Sequence, residues 1–168
     1  MKHFKMFLLV LGILIGWTML YSYLADISMT YMDKQTAFIF FTDALSIVFY
    51  EELVYRWIPL IISLLVIRCF RLPGMDLILC IVGIVTSILF GRLGIHIPAF
   101  HIIMGLIIWL YTQYTYTTSQ QIVFACVGSY LIHIVYNSCM YLIYFLHYLQ
   151  ATWKRPLIPA VFLLREIL

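Results

Sequence analysis

Glu51, Glu52 and Arg56 stand together as EELVYR inside a stretch from about Ala37 to Ile67 that is otherwise almost wholly apolar. Each such charge costs about 2.5 to 3.5 kcal/mol at the centre of a membrane helix, so three within six positions require a compensating arrangement or a task. Glu52 and Arg56 are four residues apart, stacked on one helix face, where each can neutralise the other. Glu51 is turned about 100° away and has no such partner on its own helix. A carboxylate of this kind can take a proton from water and make it nucleophilic, the work of a general base. His133 and Asn137, also four apart in an apolar run, share a face and offer two donors suited to a developing oxyanion. The bland alternatives are an ion pair that braces helices, and interhelical hydrogen bonding by His133 and Asn137.

The elements that must carry these residues are membrane helices. The 168-residue chain is 65% hydrophobic and 10% charged, against about 45 to 50% and 25% in soluble domains. Its length accommodates about five spans of roughly 20 residues in one membrane domain, residues 1–168. A net charge of +3, spread over the loops, argues against nucleic acid as a partner; membrane lipids are the expected surroundings. Cys69, Cys80, Cys126 and Cys139 lack C-x-x-C spacing and lie in or beside apolar runs, so they read as packing residues.

The predicted order is an all-α, polytopic, multi-pass bundle of about five spans, with a short C-terminal helix as a sixth element. Lys2 and Lys5 precede a first apolar run, Met6 to about Leu24, longer than the roughly 7 to 15 residues of a signal-peptide core. The EELVYR run would reach about 45 Å as a straight helix, against a hydrocarbon core of about 30 Å, so a tilt, a protrusion or a kink at Pro59 is expected. A third run follows Arg68, Arg71, Pro73 and Gly74; a glycine-rich corner at Gly91, Gly94 and Pro98 carries Arg92 and His96. A fourth run ends near Tyr114, and Tyr111 to Gln121, rich in Tyr, Thr and Ser, reads as an interfacial link. The fifth run holds His133 and Asn137. His101, near the start of the fourth run, reads as an interfacial bystander, as do His3 and His147.

In combination, these motifs resemble those of the CAAX prenyl protease and bacteriocin-processing family, also called the Abi family. EELVYR matches its E-E-x-x-x-R signature, and LIHIVYN supplies its later H-x-x-x-N motif; the resemblance covers about residues 38–140. Between them the family has F-x-x-x-H, which here corresponds to Phe90 with His96 two residues late. The resemblance implies an intramembrane endopeptidase in the cell membrane, acting on a peptide or protein substrate in peptide maturation or bacteriocin self-immunity. Glu51 would be the general base and Glu52 the partner of Arg56, with His96, His133 and Asn137 completing the catalytic pocket. No cofactor is required on this reading; the alternative is a divalent metal such as zinc, held by Glu51, His96 and His133. The rival function is a non-catalytic membrane immunity or scaffold protein that acts by binding.

Overall fold

A computed structural model of the chain describes residues 2–24, 45–93 and 98–153. The chain is all-α, with five helices among the described residues: α1 (Lys2–Leu24), α2 (Leu45–Phe70), α3 (Met75–Leu93), α4 (Pro98–Ser119) and α5 (Ile122–Trp153). Among the described residues there is no strand. His96, the C-terminal helix expected after Lys154 and Arg155, and the first polar link with Asp26, Asp33 and Lys34 lie outside the described residues.

α1, α2, α3 and α5 have the length and apolar composition to cross a membrane. The distribution of polarity agrees with a lipid solvent. Leu9, Ile62, Leu77 and Val123 are exposed on outer faces, whereas Glu52, Arg56 and His133 are buried. In water this would expose a large apolar surface and bury the charges; in lipid the exposed surface matches its surroundings.

α4 differs from the other four because it occupies the middle. It packs against α1, α3 and α5, and so can carry polar side chains that lipid-facing helices cannot. Here the expected interfacial link at Tyr111–Gln121 is corrected. The helix continues to Ser119, with Tyr111, Thr112, Thr115 and Tyr116 buried. The physical reason lies in the hydroxyls. Thr112 donates to Ile108 O at 2.8 Å and Thr115 to Tyr111 O at 2.8 Å, while Thr118 and Ser119 donate to Tyr114 O and Thr115 O. Each of these hydroxyls is satisfied by the carbonyl one turn back, so a Thr-rich segment is compatible with a buried helix. The link shrinks to Gln120, which takes a left-handed φ of 58°, and Gln121.

Close approach of α3 and α4 depends on small residues. A Cβ at Gly83 would stand 2.1 Å from the Trp109 ring, and one at Gly91 2.2 Å from Ile102. Trp109 thereby comes near enough to donate its indole N–H to Leu79 O at 3.0 Å, so its polar edge is satisfied inside the bundle. α1 joins the bundle through a polar lock as well as through packing. Thr18 gives its proton to Leu14 O at 2.9 Å, so in the 2.6 Å contact with Tyr136 on α5 the tyrosine hydroxyl is the donor. Two apolar clusters fill the interior: Leu14, Phe90, Ile108 and Ile132 belong to one, Leu60, Leu79 and Trp109 to the other.

α2 is irregular one turn earlier than Pro59 alone would place it. Leu53–Trp57 forms a π-turn, in which Ile58 N–H donates to Leu53 O. Pro59 has no N–H to return to the preceding turn, and the widened turn directly before it absorbs that loss. Tyr55 and Arg56 lie within this turn. α2 ends where Arg71 adopts a left-handed φ of 50° and Leu72 N–H reaches Ile67 O at 3.0 Å.

Candidate functional site

The site is assembled by α2 and α5 and walled by α3 and α4. Glu52 and Arg56 form an ion pair within α2, Arg56 Nη1 donating to Glu52 Oε1, as the four-residue spacing predicts. Both are fully buried. From α5, His133 Nδ1 lies 2.8 Å from the same Oε1. Arg56 carries a permanent positive charge, so Glu52 beside it is the ionised partner and can only accept. His133 therefore carries a proton on Nδ1, and its other nitrogen is left for a second partner.

That partner is Glu51. His133 Nε2 stands 3.7 Å from Glu51 Oε2, and the Glu51 side chain is 29% exposed while that of His133 is 2% exposed. The imidazole thus bridges two adjacent carboxylates, one sealed and one accessible. Charge counting constrains the proton inventory. Arg56 and Glu52 cancel; if Glu51 and His133 hold one further proton between them, the whole cluster is neutral. An uncompensated charge here would carry the penalty of an unpaired buried ion. The couple is then either carboxylate with imidazolium or carboxylic acid with imidazole, and the first form presents a base and an acid side by side.

The walls are aromatic. Phe90 on α3 lies under the Arg56 guanidinium, 5.1 Å from ring centroid to Cζ, and meets His133 edge-on at 6.4 Å. Gly105 on α4 makes room for it, since a Cβ there would sit 3.1 Å from the Phe90 ring. Trp57 closes the other flank, donating its indole N–H to Ser129 Oγ at 3.1 Å; that hydroxyl in turn donates to Cys126 O. Beside Arg56, a crevice lined by Tyr55, Thr86, Ser87, Phe90, Gly105 and Trp109 has no room for a water molecule. Solvent therefore meets the cluster at Glu51.

Of the residues expected to act, Glu51, Glu52, Arg56 and His133 are brought together. Asn137 lies half-buried one turn further along α5. Glu51 was expected to lack a partner; it has none on α2 but meets His133 from another helix. His101 is corrected from bystander to wall. Its ring is edge-on to Phe90 at 5.9 Å and to Phe100 at 5.3 Å, and lies within electrostatic reach of Glu51. Four-residue spacing after Phe90 falls at position 94, short of His101. Phe90 and His101 lie on different helices, brought together by the close packing of α3 on α4.

Among the described residues no three His, Cys, Asp or Glu side chains are grouped to hold a metal ion. The donors that converge are Glu51 Oε2 and His133 Nε2, because His133 Nδ1 is committed to Glu52. His96, the third ligand of the zinc alternative, lies outside the described residues. The four cysteines are free thiols.

No family model, curated protein or solved structure matches the chain.

Proposed function

We propose that this protein is a multi-pass intramembrane endopeptidase of the cell membrane that hydrolyses a peptide bond with water activated by Glu51. The observation that carries the proposal is the bridged acid pair: His133 is held by a buried Glu52 and turned toward an accessible Glu51. The two motifs that resemble the CAAX protease and bacteriocin-processing family supply those same residues.

In the ionised form of the couple, Glu51 takes a proton from water as the oxygen attacks the scissile carbonyl. His133 Nε2–H, with Asn137 beside it, donates to the oxygen that becomes negative. Glu51 then passes its proton to the leaving nitrogen as the C–N bond breaks, so the new carboxyl holds the water oxygen and the new amine holds its proton. Glu52 and Arg56 do not touch the reacting atoms. They fix the imidazole tautomer and orientation, as a buried carboxylate does for a catalytic histidine elsewhere. His101 of α4, packed edge-on against Phe90 and within electrostatic reach of Glu51, lines the same site.

A second reading is a membrane immunity or scaffold protein that acts by binding, in which the buried Glu52–Arg56 pair and its contact with His133 only hold α2 and α5 together. One experiment separates the two. Purified protein in lipid nanodiscs is incubated in ¹⁸O-water with a panel of peptides, each anchored by a C-terminal isoprenoid or by one apolar helix. Hydrolysis predicts shortened peptides with one ¹⁸O atom in the new C-terminus. A panel left intact, with every peptide recovered full-length, contradicts the enzymatic role.

A further inference from the structure

Phe90 collects polar groups from three other helices around one ring. Besides the Arg56 guanidinium on its face, it meets Tyr55 of α2 at 5.4 Å, His101 of α4 at 5.9 Å and His133 of α5 at 6.4 Å, all edge-on. Arg56, His101 and His133 have places in the hydrolytic scheme, whereas Tyr55 has none. Tyr55 follows Glu51 by four residues, sits in the π-turn of α2 and is half-buried at the wall of the crevice beside Arg56. Its hydroxyl and the Glu51 carboxylate are near enough to interact electrostatically.

We infer that Tyr55 is a catalytic residue whose hydroxyl donates a hydrogen bond to the scissile carbonyl oxygen as that oxygen gains charge. The inference rests on the hydrolytic role proposed for Glu51. Its physical basis is the charge balance of the cluster. The ionised groups already cancel, so a further charged donor would disturb them, whereas a phenol stabilises an oxyanion while remaining neutral. The ring is held against Phe90, which limits the reorganisation needed when charge develops. The phenol keeps its proton throughout; the proton transferred to the leaving nitrogen is the one Glu51 took from water.

Tyr55→Phe tests this, because it preserves the ring against Phe90 and removes only the hydroxyl. The probe is the anchored peptide cleaved fastest by the wild-type protein in nanodiscs. The expected result is kcat lower by about 10²-fold with KM within about two-fold, since an oxyanion donor acts on the transition state rather than on the bound substrate. Unchanged kcat, or a raised KM with kcat intact, overturns the inference. If the variant loses thermal stability, 3-fluorotyrosine at position 55 retains the shape with a more acidic phenol; an unchanged kcat then overturns it. Glu51→Gln, assayed in parallel, distinguishes the failures. An inactive Glu51→Gln beside a fully active Tyr55→Phe removes Tyr55 alone, whereas two fully active variants, or a panel with no cleaved peptide, remove the hydrolytic role with it.

Discussion

Glu51→Gln is expected to leave a folded, membrane-inserted protein whose peptide hydrolysis is lower by about 10²- to 10⁴-fold, the range that a positioned general base contributes. The amide has nearly the same shape as the carboxylate and cannot accept the proton of water. Packing should be little disturbed, because Glu51 is the accessible acid of the pair, with 29% of its side chain exposed. Its ion-pair partner His133 keeps the Nδ1 contact with Glu52, so the variant retains the frame of the site and loses the base. Equal expression and an unchanged thermal unfolding profile establish the frame; ¹⁸O-labelled product measures the chemistry. A well-expressed Glu51→Gln variant with wild-type turnover would contradict the role assigned to Glu51.

Arg56→Met is expected to have the largest effect on stability, about 3 to 5 kcal/mol, as for removal of one member of a buried ion pair. Glu52 would then be an ionised carboxylate inside the bundle, with His133 as its remaining close partner. The imidazole would be drawn into neutralising Glu52, so both stability and the Glu51–His133 couple should suffer. Reversible unfolding in mixed micelles measures the first effect. In the double variant Glu52→Gln with Arg56→Met no buried charge is left unpaired, and the combined loss should be smaller than the sum of the single losses, a coupling of the kind shown by residues in contact. An Arg56→Met protein as stable as the wild type would contradict a compensating role for the pair.

Much of this arrangement was legible in the sequence, because helical spacing is a local property. The four-residue separation of Glu52 and Arg56 placed them as a pair, and the same separation put His133 and Asn137 on one face of another helix. What local spacing does not encode is which helices become neighbours. His101 was assigned to the interface because it lies near the start of its run, yet the small residues between α3 and α4 bring its ring against Phe90. Composition misled at Tyr111–Ser119 for a related reason: Thr and Tyr are polar in isolation, but within α4 the threonine hydroxyls are spent on carbonyls one turn back. Near Pro59, where a tilt or kink was expected, the helix carries a π-turn that includes Tyr55 and Arg56.

His133 bridges a sealed and an accessible carboxylate, one at each ring nitrogen. ¹⁵N NMR of histidine-labelled protein in nanodiscs, with His133 assigned by its loss in His133→Gln, tests it directly. The expected result is an Nδ1 that carries a proton in a strong hydrogen bond, and an Nε2 signal that shifts in Glu51→Gln while Nδ1 stays nearly in place. An Nδ1 without a proton, or an Nε2 signal indifferent to Glu51→Gln, would contradict the bridge.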